Sequence, residues 1–255
     1  MHKSFIKFLD TLDIKLGEKL YIASDITQIL IFHKKNKEEF KPNDLINYFL
    51  EKIGKKGTLI FPTFNWDFCR GIPFDYSKTP SRAGSLTRIA LTRKDFIRTK
   101  HPIYSFVVKG FDQDILYELD DESGWGSKSL FKYFHENNAK NLFIGIDYKN
   151  GFTFDHYFEE KVGVDYRYFK YFSADYIDRY GNKEFKKYKM YVRDLDKNIV
   201  TAISHKMDDV LKKKKAYKKF FFENIYFGLI EMKISGDIML DDLKKQGGLI
   251  YQKKI

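Results

Sequence analysis

A single cysteine, Cys69, stands among 255 residues, which excludes any intrachain disulfide and any cysteine-only zinc site. That scarcity suits a reducing compartment, so the chain is expected to be cytoplasmic. Proline is sparse as well, at five. Apolar runs such as Tyr226 to Ile230 fall far short of the ~20 residues that span a bilayer, so stable membrane insertion is not expected. The first ten residues mix Lys3, Lys7 and Asp10 into their apolar positions and so lack the uninterrupted stretch of a signal peptide. There is no glycine-rich P-loop, no paired CxxC and no RNP-like aromatic motif, so nucleic-acid recognition lacks its usual supports. No repeat of solenoid length is visible.

What is present is an ordinary globular composition. At 43% apolar content, the chain can bury one substantial core, or a core plus a smaller lobe. Its net charge of +11 favours anionic partners, among them phosphorylated small molecules, nucleic acid and membrane surfaces. Heavy use of Lys, Phe, Tyr and Ile is also the mark of AT-rich coding, so charge alone does not choose among these. The run from Lys212 to Lys219 reads either as a solvated helix end or as a phosphate-contacting cluster.

Periodicity organises the chain. Phe5, Phe8, Leu9 and Leu12 recur at helical spacing, Lys19 to Ala23 reads as a buried strand, and Leu45 to Ile53 form a helical face before a strand at Thr58 to Phe61. Strand, helix, strand is an α/β unit. From Pro62 to Ser81 the pattern lapses into a long loop, unusual in a compact domain unless it walls a site. Ala83 to Arg93 and Ser129 to Asn137 read as helices, and Tyr104 to Val108 and Asn141 to Gly145 as strands. After Val164, aromatic and polar residues alternate over 166–176 and 185–192, predicting antiparallel strands joined at Arg179 to Asn182. A helix is expected from Ile199 to Lys214. The expected division is a core over 1–164 and a lobe over 165–255 that completes the core and the acceptor site.

The chemistry concentrates around His156, in the segment Thr153 to Glu159. An imidazole titrates near neutrality and can take and return a proton. On a helix opened near Thr153, the residues Thr153, His156 and Glu159 lie three apart along one face, so Glu159 can orient the ring. Asp155 and Glu160 are alternatives for that supporting role. The same pattern also describes a surface helix with a capping Thr and an incidental His–Glu pair. In the segment from Arg98 to Ser105, Pro102 forces an extended approach that could present Arg98, His101 and Ser105 to an anion. Read structurally, it is a commonplace loop. Gly124 to Gly126 is a turn around the anchor Trp125. Cys69 is either a nucleophile or an inert core thiol.

Separated blocks in a fixed order then resemble the aminoglycoside 3-N-acetyltransferase family. Gly57 to Phe68 resembles its GTL-hydrophobic-PTFxWDF block, and Thr79, Pro80, Ser81, Gly84 and Arg93 follow its TPS…G…R pattern. Arg98 to Gly110 resembles RSxHPxxSxxxxG, and Thr153 to Glu159 resembles TxxHxxE. The resemblance covers roughly residues 20 to 165. Two departures stand out: no glycine lies between Asp25 and His33, where the family is glycine-rich, and Ser129-Leu130 replaces its Ser-Pro pair.

That resemblance implies a three-layer α/β/α sandwich, here with an aromatic-rich, partly antiparallel C-terminal lobe. It implies acetyl-CoA, or another short acyl-CoA, as cosubstrate, and it calls for no metal. His156 becomes the general base, supported by Glu159, with Thr153 lining the acyl site. Ser24, Thr63, Arg98, His101 and Ser105 become candidates for pantetheine or phosphate contact, and Trp66, Asp67 and Asp155 for the acceptor. Because a +11 chain repels a polycation, the expected acceptor is the amine of a nucleotide-linked amino sugar for surface-polysaccharide synthesis. Antibiotic acetylation is the alternative. A non-catalytic, basic nucleic-acid- or membrane-binding protein on the same scaffold is the alternative from another class. Oligomeric state is left open, a homo-oligomer included.

Overall fold

A computed structural model describes residues 1–197, 199–246 and 248–254. The first half runs α1 (Lys3–Asp10), β1 (Lys19–Ser24), α2 (Thr27–Lys35), α3 (Pro42–Ile53), β2 (Thr58–Pro62), β3 (Phe74–Asp75), α4 (Ser85–Thr92), β4 (Ile97–Arg98), β5 (Phe106–Gly110) and α5 (Gln113–Glu118). It continues through α6 (Leu130–Glu136), β6 (Lys140–Ile144), α7 (Asp155–Val162), β7 (Arg167–Ile177) and β8 (Lys183–Arg193). The chain then forms β9 (Ile199–Ile203), α8 (Lys206–Lys213), β10 (Tyr217–Phe222), β11 (Ile225–Glu231), α9 (Met232–Lys245) and β12 (Ile250–Lys254).

Alternation along the central strands divides the interior into two layers. Leu20 and Ile22 of β1, Leu59 and Phe61 of β2, and Leu142 and Ile144 of β6 share one core with Phe5 of α1, Ile29 of α2, Phe49 of α3 and Leu86 of α4. Tyr21, Ile60 and Phe143, their neighbours in sequence, belong to the opposite core with Phe131 and Phe134 of α6, Phe158 of α7 and Met239 of α9. Both faces are therefore covered, which is why these strands read as unbroken apolar runs. Each fully buried Leu, Ile or Phe contributes roughly 1.5–3 kcal/mol. This is the expected α/β/α sandwich.

The main sheet has seven strands in the order β10-β11-β6-β1-β2-β5-β4. β1 pairs in parallel with both β2 and β6, while β5, β4, β11 and β10 each run antiparallel to their inner neighbour. One edge of the sheet consequently collects the carboxyl ends of β1, β2, β4 and β6 and the amino ends of β5 and β11. In open α/β sheets, ligands bind outside the carboxyl ends of the parallel strands.

Several expectations are met and others are corrected. The antiparallel pair appears as β7 and β8, joined at 178–182 and extended by β3 into a three-stranded sheet. The 62–81 loop is not featureless, since it holds a 3₁₀ turn at Asp67–Arg70 as well as β3. The helix expected over 199–214 begins only at Lys206. The β-branched run Ile199-Val-Thr201 is instead part of β9, paired with β12. The glycine-free segment after β1 is α2, so no glycine-rich loop follows that strand.

Candidate active site

Sheet topology brings most of the candidate residues to one edge. Ser24 ends β1, Thr63 follows β2, Arg98 ends β4, and Ser105 precedes β5. His156 lies beyond β6, after a turn opened by Gly145. That glycine has a φ of +71°, and a Cβ there would sit 2.1 Å from the Asp25 carbonyl oxygen, so only glycine lets the β1 and β6 ends approach so closely.

His156 sits in the first turn of α7. The helix starts at Asp155, so Thr153 precedes it and does not share a helical face with His156 and Glu159 as the spacing predicted. Thr153 nonetheless lines the same cavity of about 220 Å³ as His156, Asp155, Lys149, Asn150 and Ala202. Glu159 is fully buried, and its Oε2 lies 2.6 Å from His156 Nδ1. Two residues that sequence reasoning did not single out complete the arrangement. Tyr166 donates its hydroxyl to Glu159 Oε1 at 3.0 Å, and Arg167 places Nε 2.8 Å from Glu159 Oε2 and Nη2 3.1 Å from His156 Nδ1. Both follow Gly163, whose left-handed conformation closes α7 and turns the chain back along it. Gly163 is the signal in the sequence that could have pointed to them.

Electrostatics follow from this packing. Burial disfavours charge on the His156 ring, but the Asp155 and Glu159 carboxylates together outweigh it and hold the pKa above its ordinary value, with Arg167 pulling down. Burial likewise raises Glu159, but the His156 contact and Arg167 more than offset it and keep the group below the usual carboxylate range. For Asp155, burial dominates and pushes the carboxyl up. Because Nδ1 is committed to Glu159, Nε2 is the nitrogen left for proton exchange.

The remaining candidates separate into distinct environments. Arg98 is 3% exposed, and its guanidinium is spent on Ser105 Oγ at 3.0 Å and on the carbonyls of Tyr76 and Thr79 at 3.1 and 2.6 Å. Ser105 and Thr63 hydroxyls meet at 2.8 Å. This buried cluster anchors the 62–81 loop, and its donors face carbonyls rather than an incoming phosphate. His101 is also buried: Nδ1 accepts from the Ile103 and Tyr104 amides at 3.2 and 3.0 Å, and burial pushes its pKa down to about 3. Asp67 is paired with Arg82 and Arg70, while Trp66 is half-exposed beside Tyr104. Ser24 Oγ is buried with no hydrogen-bond partner. Close to it, Gly84 begins α4 without a side-chain cap, and a Cβ there would lie 2.9 Å from the Ser24 carbonyl oxygen. Cys69 lies against Met190, and burial raises its thiol to about 11.

Trp125 stands beside His156 and also lines a second cavity of about 450 Å³ with Lys132, Lys161, Lys189, Asp121 and Glu160. Two cavities thus flank one aromatic pair. Among the described residues, no helix is long and apolar enough to cross a membrane.

The family model described as aminoglycoside 3-N-acetyltransferase matches residues 32–233. Among solved structures, sisomicin-bound AAC-VIa superposes with a TM-score of 0.77 at 14% identity, covering 95% of this chain and 97% of its own. AAC-IIIb in a binary complex with CoASH gives 0.75 at 15% identity, covering 95% and 96%. The YokD protein from Bacillus subtilis gives 0.74 at 17% identity, covering 94% and 92%. No curated protein matches the chain in sequence.

Proposed function

The chain belongs to the aminoglycoside 3-N-acetyltransferase family, and from that premise we propose that it transfers a short acyl group from acyl-CoA to the amine of an amino sugar, with His156 as general base. The observation that carries this reading is the His156–Glu159 contact of 2.6 Å at the rim of a cavity that Asp155 and Thr153 also line. A protonated amine cannot attack a thioester. Asp155 would receive the ammonium; once that has lost one proton to solvent, His156 Nε2 takes a second from the nitrogen as it attacks. Glu159 stabilises the imidazolium so formed, and the ring then returns the proton to the departing thiolate. Acyl-CoA supplies the activated acyl group. The unpartnered Ser24 hydroxyl and the uncapped start of α4, at the carboxyl edge of β1, fit its polar arm.

For the acceptor, an aminoglycoside-type amino sugar is favoured. AAC-VIa holds sisomicin, and the His156 cavity presents Asp155 to a cation. A nucleotide-linked amino sugar is the second reading, favoured by the three lysines of the cavity beyond Trp125 and by the net charge of +11. A thiol-release assay with acetyl-CoA against a panel of aminoglycosides and nucleotide amino sugars, run on wild type and His156→Ala, decides between them. Equal rates in the two proteins would remove His156 from the chemistry.

A further inference from the structure

Arg167 makes contacts that the general-base reading does not by itself require. Its guanidinium touches three groups at once: Nε the Glu159 carboxylate at 2.8 Å, Nη2 the His156 Nδ1 at 3.1 Å, and Nη1 the Tyr191 carbonyl of β8 at 3.1 Å. Its side chain is only 8% exposed. Arginine can only donate. Glu159, ionised and acceptor-only, needs the proton of Nδ1 at 2.6 Å. The Arg167 Nη2 and the protonated Nδ1 therefore face each other as two donors at 3.1 Å, so the guanidinium acts on the ring through its charge and not as a hydrogen-bond donor.

We propose that Arg167 is a positioning residue that sets the basicity of the His156–Glu159 pair. Its positive charge beside Glu159 keeps that carboxylate ionised, while the same charge beside Nδ1 opposes accumulation of positive charge on the ring and so keeps the base from being trapped as imidazolium. The proposal rests on the general-base role of His156. Other groups facing the ring are Asp155 and Glu159 on α7, Tyr166 at the entry to β7, and Lys149 across the cavity. Lys149 is paired with Asp208 at 2.9 Å, which leaves Arg167 as the cation acting directly on Nδ1. Tyr191, which also donates its hydroxyl to the Val164 carbonyl at 2.5 Å, fixes Arg167 from the β8 side. Specificity for this role comes from the fork: a lysine carries the charge but cannot span carboxylate, ring and carbonyl together.

The test is an NMR titration of His156 in the full chain, which needs no substrate, together with the pH profile of kcat/KM. Arg167→Gln should raise the His156 pKa by about one unit or more, the effect of removing a cation within a few ångströms. The acid limb of kcat/KM should move up in parallel, and Arg167→Lys should bring the titration back toward wild type. Arg167→Met serves as the second variant should the amide substitution fail to fold. An unchanged or lowered His156 pKa in a folded Arg167→Gln or Arg167→Met protein would overturn the proposal. A shifted titration in a chain with no acyl transfer would instead retain the coupling and remove the catalytic reading.

Discussion

Trp125 stands edge-on to His156, with ring centroids 5.0 Å apart and planes at 73°. The indole, 2% exposed, closes one side of the imidazole, and the Glu159 carboxylate behind it is fully buried. A base held this way has a predictable pH response.

Activity should rise with pH, because only the neutral ring accepts a proton. Asp155 and Glu159, outweighing burial, hold the His156 pKa above its ordinary value, so the acid limb of kcat/KM should fall above about pH 6.5. Asp155→Asn removes one of those charges and should shift the limb to lower pH. His156→Ala should cost about 100-fold or more in kcat. Steady-state kinetics across the pH range checks all three.

His101 should make the fold acid-sensitive. It is buried and neutral, with a pKa pushed down to about 3, whereas in the unfolded chain it titrates near 6.5. The unfolded state therefore binds the proton first as pH falls. The stability this residue contributes is complete above about pH 6.5 and declines toward pH 3, at up to ~1.4 kcal/mol per pH unit. Denaturant unfolding of wild type and His101→Leu across that window should show a shallower slope in the variant. Identical slopes would place the acid sensitivity elsewhere.

Much of this was legible in the sequence for physical reasons that can be named. β1, β2 and β6 are buried on both faces, so each appears as an apolar run, and the β7–β8 hairpin is announced by its alternation and its Gly181 turn. The seven-residue motif around His156 and Glu159 was readable because both partners lie on one short helix. Tyr166 and Arg167 were not, because their contact with Glu159 depends on the chain reversal at Gly163. Arg98 is the opposite case: the sequence reads it either as an anion donor or as part of a commonplace loop, and only tertiary packing reveals the carbonyls of Tyr76 and Thr79 that its guanidinium meets. The strand at Ile199 was hidden because its partner, β12, lies about fifty residues away.

Cys69→Ala should leave acyl transfer intact. A thiol raised to about 11 by burial is almost wholly protonated at neutral pH, and the protonated form is a poor nucleophile. A ping-pong route through Cys69 would require the opposite. Single-turnover experiments with acetyl-CoA alone should show no acyl-enzyme, detectable as an absence of added mass on the intact chain.

Arg98 should matter more to the loop than to any ligand. Removing its guanidinium leaves the Tyr76 and Thr79 carbonyls without this donor, and hydrogen bonds to a charged group are worth about 1.5–3 kcal/mol each. Arg98→Met should therefore destabilise the protein by roughly 2–4 kcal/mol and expose the 62–81 segment to limited proteolysis. Arg98→Lys should rescue little, since an ammonium cannot reproduce the fork that meets Ser105 and two carbonyls together. If Arg98→Met instead kept wild-type stability and protease resistance while the KM for acyl-CoA rose several-fold, the guanidinium would be reaching the cosubstrate rather than holding the loop.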